Sequence, residues 1–173
     1  MSGLYAISIS GLKEGRHKID FEIGKEFFEQ FEESEVKEGS LIAHIDIDKR
    51  SSHLDLIINI SGHVSICCDR CLEEYLQPVK CENRLLVKFG KSIENSDPDI
   101  ISLPVDEYEL DLKKHLFEFI YLAIPIKRVH GNDSNGNSTC DPEMLKKLNE
   151  HLILEEKVSD PRWNELKKLM NDN

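Results

Sequence analysis

Cys68 and Cys71 frame the turn Cys68-Asp69-Arg70-Cys71, the point in this chain where residue type and spacing most directly imply chemistry. A Cys-x-x-Cys turn lets two thiolates converge on one ion at about 2.3 Å from each sulfur. A tetrahedral site needs two further ligands. His130 and Cys140 bracket the polar loop from Gly131 to Ser138 and are the best candidates. Together the four would make a Cys3His set, a common structural zinc type. The expectation is one structural zinc on Cys68, Cys71, His130 and Cys140. Alternatives remain open. The spacing is not a repeated Cys-x-x-Cys, and the adjacent Cys67 leaves open which sulfur turns inward. The thiols could be plain reduced cysteines at a strand turn, and His130 alone reads as a surface loop histidine. A redox pair normally opens a helix after a strand in a βαβ unit, whereas the flanks here alternate as antiparallel strands. Cys81 falls on the apolar face of its strand and reads as a core thiol.

A second, weaker pattern is cationic. Lys80, Arg84 and Lys88 line the wet face of one strand with Glu82 among them. Such a stripe can touch phosphate or simply be solvated. The sequence carries no Gly-rich phosphate loop, no His-Glu-x-x-His and no recognisable Ser, His and Asp nucleophile context, so no enzyme is expected. Asp106, Glu107 and Glu109 precede a helix and suit its N-terminal dipole.

These residues must be positioned by strands. Tyr5, Ile7 and Ile9 alternate, then Ile19, Phe21 and Ile23. The clearest alternation is Leu41 to Ile47, Leu54 to Ile66 and Val79 to Phe89, with Lys49 to Ser52 as the turn between the first two. Period two over such lengths predicts antiparallel strands with one buried and one wet face. Phe27, Phe28 and Phe31 predict a short helix from about Lys25. The acidic run Glu32 to Glu38 reads as a solvated loop, and Lys91 to Pro104 as a turn-rich loop. Asp111 reads as an N-cap, followed by Leu112, Leu116, Phe119, Ile120 and Ala123 at helical spacing and a stop at Pro125. Asp141-Pro142 starts another helix bearing Met144, Leu145, Leu148 and Leu152. Asp160-Pro161 repeats that start, ahead of Trp163, Leu166, Leu169 and Met170. The expected fold is α+β, an antiparallel sheet or partly open barrel with one early and about three late helices.

Composition narrows the class. The 173 residues carry a formal net charge of -11, which argues against indiscriminate nucleic-acid binding, since that needs excess cations. A local basic patch or a basic protein partner stays compatible. There is no apolar run long enough to span a bilayer and no signal-peptide pattern at the N-terminus, so a cytoplasmic location is expected. Five cysteines in such a chain favour thiols or metal ligands over disulfides.

Three segments carry a family resemblance: Ile66-Cys67-Cys68-Asp69-Arg70-Cys71-Leu72, the stretch Tyr108 to Pro125 with Leu122-Ala123-Ile124-Pro125, and Asp160-Pro161-Arg162-Trp163-Asn164-Glu165-Leu166. In this order they resemble the YceD family of bacterial proteins, over most of the chain from about Leu41 onward. Many members carry further cysteines after the position of Pro125; here that region offers Cys140, with His130. The resemblance implies a ribosome-biogenesis factor that supports processing or accumulation of large-subunit (23S) rRNA. It would act by binding, with neither membrane nor small-molecule substrate. Partners would be the rRNA itself, touched through Arg70, Lys80, Arg84 and Lys88, or a large-subunit ribosomal protein. In the second case a zinc-stabilised module would hold the basic protein through the acidic Glu32, Glu33, Glu35 and Glu38, without contacting RNA. The expected organisation is one YceD-like domain over residues 1–173, with 142–173 a helical appendage.

Overall fold

Alternation of apolar and polar residues decides the centre of the molecule. The computed structural model describes residues 4–32, 34–90, 99–104 and 106–152. Strands β2 (Gly15–Ile23), β3 (Glu38–Lys49), β4 (His53–Cys67) and β5 (Glu74–Phe89) pair in sequence order, each antiparallel to the next. One face of this sheet is the core. Leu41, Ala43, Ile45 and Ile47 of β3 meet Leu54, Leu56, Ile58, Ile60, Val64 and Ile66 of β4, all 3% exposed or less. Val79, Leu85 and Val87 of β5 continue the face. Fully burying one such aliphatic side chain contributes about 1.5–3 kcal/mol, so this face dominates the energetics.

Gly62 interrupts that apolar row between Ile60 and Val64. Its φ is +150°, and a Cβ there would lie 2.2 Å from the carbonyl oxygen of Ser40. Only glycine lets β3 and β4 approach this closely. The two-residue offset between inward side chains survives the interruption, so the long strand keeps its register.

Helix α1 (Lys25–Phe28) inserts Phe27 and Phe28 into the core. Phe28 lies over Gly39, where a Cβ would stand 2.9 Å from its ring. Phe27 meets Tyr5 edge-on at 4.8 Å between centroids.

Two expectations are corrected at the sheet edges. The stretch from Lys91 to Pro104, read as loop, contains strand β6 (Ile100–Leu103), which pairs parallel with β5. The sheet is therefore mixed, not purely antiparallel. Four residues are too few for alternation to show in a polar context, and the partner strand supplies what propensity does not. The first strand, β1 (Ala6–Ser8), leaves the main sheet and pairs with β7 (Glu109–Asp111) as a separate two-stranded ribbon. The strand order supports the α+β sheet; it does not by itself close a barrel.

Helix α2 (Lys113–Ala123) buries Leu116, Phe119 and Ile120, one stripe of its surface. The N-cap is Leu112, one residue beyond the expected Asp111, and it makes no side-chain capping bond; Asp111 Oδ1 instead accepts from Lys113 N at 2.8 Å from just outside the helix. Ile124 is extended at the helix end (ψ 129°), as a residue before proline must be. On the same helix His115 is half-buried; its Nδ1 is enclosed and has no hydrogen-bond partner among the described residues. Helix α3 (Pro142–Glu150) is capped by Asp141, whose side chain accepts from Glu143 N and Met144 N. One early and two late helices are thus described. The further late helix expected after Asp160 lies outside the described residues.

Candidate metal centre

The β4–β5 hairpin ends in the cysteine turn. Cys67 and Glu74 form the last pair of the ladder. Cys68 N then donates to Glu73 O, and Leu72 N to Cys68 O, each at 2.9 Å. Leu72 adopts φ +62°, an uncommon left-handed conformation for a leucine, and the turn closes tightly enough to bring Cys71 back toward Cys68.

The chain returns to this turn after α2. Asp69 N donates to Arg128 O at 2.7 Å, and Asp69 Oδ2 accepts from Arg128 N at 2.8 Å. Two residues later His130 Nδ1 lies 3.3 Å from Cys71 Sγ. The loop beyond then folds on itself. Asp133 Oδ1 accepts from the backbone N–H of Asn135 and Asn137 at 2.9 and 2.8 Å, and these donors hold its carboxyl below the usual carboxylate range. Thr139 N donates to Gly131 O at 3.2 Å, closing the loop. Cys140 is thereby delivered to the turn, with its Sγ 3.7 Å from that of Cys68.

Cys68, Cys71, His130 and Cys140 thus converge, their ligand atoms all within 4.8 Å of one another. Around a tetrahedral zinc with bonds of about 2.3 Å, sulfurs stand about 3.8 Å apart. The Cys68–Cys140 separation of 3.7 Å matches that value. The donor set therefore fits zinc in both chemistry and spacing, with His130 contributing Nδ1. Cys67, whose place was ambiguous, points outward and is exposed. Cys81 is half-buried on the inner face of β5, its Sγ 3.8 Å from Phe119 O.

The thiols are not equivalent. Burial opposes ionisation of Cys68, but the backbone N–H groups of Cys71, Arg70 and His130, with the Cys71 thiol, outweigh it and bring Cys68 down to about 6. Burial pushes Cys71 up. A metal ligand must be deprotonated, so Cys68 is the sulfur best prepared to bind first.

The cysteines also form a small apolar cluster of their own, separate from the main core. Tyr75, Val129, Met144 and Leu145 pack on it, half-buried. The His130 ring stands edge-on to Tyr75 at 4.9 Å. Helix α3 buries no residue fully, and this cluster is the apolar seat of Met144 and Leu145. So small a cluster offers little to offset ordering a ten-residue excursion. A structural zinc, at about 10–16 kcal/mol of binding free energy, would. Sequence reasoning found all four candidate ligands but missed Tyr75, Arg128 and Asp69, which position them. Their signal is a hydrogen-bond pairing between distant segments, which no local pattern carries.

The cations singled out for RNA contact are not gathered into one locus. Arg70 is half-buried in the cysteine turn, whereas Lys80, Arg84 and Lys88 follow the outer face of β5. At about 3.3 Å per residue, Glu74 to Lys88 spans roughly 45 Å. Arg84 grips Asp55 across the sheet, Nε to Oδ1 at 2.8 Å, and holds that carboxyl below its usual range. Lys18–Asp46 and Arg50–Asp48 ion pairs occupy the same face, beside a His44–Asp20 hydrogen bond. Much of that surface is thus internally charge-matched.

No helix among the described residues is long and apolar enough to cross a membrane. No curated protein and no solved structure matches the chain. The model of one protein family, described as Large ribosomal RNA subunit accumulation protein YceD, does match, over residues 56–170. That span takes in most of β4, all of β5, the cysteine turn and all four candidate ligands, and it covers more than half of the chain: the protein belongs to the YceD family.

Proposed function

We propose that this protein is a non-enzymatic, cytoplasmic ribosome-biogenesis factor that supports processing or accumulation of large-subunit rRNA by binding. The observation that carries the reading is the family match across the cysteine turn and its partner segments. On this reading one structural zinc staples the hairpin to the segment after α2, residues 1–173 act as one domain, and 142–173 form its helical appendage. RNA contact falls on Arg70, Lys80, Arg84 and Lys88. Binding of the purified protein to large-subunit rRNA fragments should then weaken steeply as salt rises, because phosphate contacts release counterions. Absence of binding even at low salt would overturn direct contact.

The distribution of charge favours a second reading. Residues 1–111 hold 23 Asp and Glu against 12 Lys and Arg, while residues 112–173 hold ten of each. The whole negative excess thus lies within residues 1–111. Such a body suits a basic ribosomal protein better than a nucleic acid. Charge-neutralising substitutions at Glu32, Glu33, Glu35 and Glu38 should then reduce capture of a large-subunit ribosomal protein, with RNA removed by nuclease. Capture indifferent to these changes would reject this second reading.

A further inference from the structure

One close pair of thiols in the centre joins residues 72 apart in sequence. Cys68 Sγ lies 3.7 Å from Cys140 Sγ, and both residues are buried, at 0% and 4% exposure. The two belong to segments already held together by the Asp69–Arg128 pairing and by the closed loop that ends at Thr139. A disulfide needs its sulfurs at about 2.05 Å and Cβ atoms at about 3.5–4.5 Å. A Cys-x-x-Cys bridge would instead have to form inside the turn that Leu72 closes in its left-handed conformation.

From this geometry we infer that Cys68 and Cys140 are a peroxide-sensitive disulfide pair whose oxidation is mutually exclusive with metal binding. The oxidant is hydrogen peroxide. The sulfur of Cys68 attacks one peroxide oxygen, the O–O bond breaks, and the thiol proton leaves with the departing oxygen as water. The resulting sulfenic acid is then attacked by the sulfur of Cys140. An S–S bond forms, the S–O bond breaks, and the second oxygen leaves as water. Two thiols are oxidised and one peroxide is reduced to two waters.

The product leaves Cys71 and His130 as the remaining donors, two where a structural zinc needs four. Zinc is therefore released. The bridge nevertheless joins the same two places that the metal joined, the hairpin turn and the start of α3. Oxidation exchanges one staple for another: the protein loses its metal without freeing α3. The metal half of this inference rests on the zinc reading above; the disulfide half does not.

Peroxide treatment followed by peptide mapping of the full chain tests it, with zinc content read in parallel by a chromophoric chelator. Both the protein as purified and chelator-treated protein are used. The expected result is a Cys68–Cys140 linked peptide in both, and zinc release in step with it. Cys71→Ser should still form that bridge, and Cys140→Ser should not. A dominant Cys68–Cys71 or Cys67–Cys68 bridge, or no bridge in the metal-free protein, would overturn the pairing. A Cys68–Cys140 bridge with zinc retained would overturn the exclusivity. Protein that carries no zinc as purified, yet forms the bridge, would refute the metal reading while leaving the disulfide pair standing.

Discussion

Asp69 and Arg128 hold one another through two hydrogen bonds, backbone to backbone at 2.7 Å and backbone to carboxylate at 2.8 Å, although 59 residues separate them. The Arg128 guanidinium extends the same junction to Glu35. The cysteine turn and the segment bearing His130 are therefore tied directly by protein contacts, which orient the candidate ligands toward one another. Preorganisation of this kind is what supporting residues contribute to a metal site. Asp69→Ala is expected to weaken zinc binding by about 10–100-fold, the usual scale for such a support, with stoichiometry unchanged. A competition titration against a chromophoric chelator measures this. Unaltered affinity would mean that the ligands need no such docking.

Zinc itself should be present at about one ion per chain, as a structural site of this donor set requires. Chelation is expected to lower the melting temperature and to speed amide exchange in α3, whose apolar residues seat on the cysteine cluster. Cys71→Ser and His130→Ala should each lose most of the metal. Metal content near zero in the unmodified protein, with melting indifferent to chelator, would reject the site.

Tyr121 is expected to matter for stability independently of the metal. Its hydroxyl lies 2.9 Å from Ser34 Oγ and accepts from Val36 N at 3.1 Å, while Ser34 and Val36 are both buried. Tyr121→Phe keeps the ring and strands the buried Val36 N–H, while Ser34 Oγ keeps its bond to Val36 O; the unpaired donor costs about 1–3 kcal/mol. Urea unfolding reads the change directly. A loss well below that range would show that water replaces the hydroxyl.

His115 gives the fold a specific acid sensitivity. Burial lowers the pKa of its imidazole below the ordinary value of 6.5, and its enclosed Nδ1 has no partner among the described residues. The unfolded chain therefore takes up this proton at a higher pH than the folded one. Stability from this group is constant above about 6.5 and falls as pH drops toward the lowered folded value. His115→Leu should flatten that part of the profile. Denaturation midpoints at about pH 7.5 and about pH 5.5 provide the test; an equal decline in the variant would place the sensitivity elsewhere.

Long periodic strands were legible because one buried face imposes its period on the residues: Leu41 to Ile47 and Leu54 to Ile66 lie on the core face that their alternation predicts. The helix stops and starts at Pro125 and Asp141-Pro142 were equally plain, since proline geometry is local. What escaped was decided by partners distant in sequence. Ile100–Leu103 becomes a strand because β5 offers it a free edge, and Ala6–Ser8 lies outside the main sheet because its ladder partner is Glu109–Asp111. The candidate metal ligands were visible from residue type and a bracketed loop, but their convergence depends on the Asp69–Arg128 junction, and the charge-matching of Arg84 depends on Asp55 across the sheet. The closeness of Cys68 to Cys140 likewise has no sequence signature, because the sequence spacing singles out Cys68 with Cys71 instead.

The candidate ligands enter the chain at residues 68, 71, 130 and 140, and that order has a consequence for synthesis. The hairpin that carries the first two can form as soon as β5 has left the ribosome, yet the site stays incomplete until His130 and then Cys140 follow. A nascent chain thus passes through a stage in which its sheet is complete and its two turn thiols are unmatched. Domains commonly fold while still being made, and here all four candidate ligands are available to an ion only once residue 140 has been made. Metal capture would then separate molecules made past residue 140 from shorter ones.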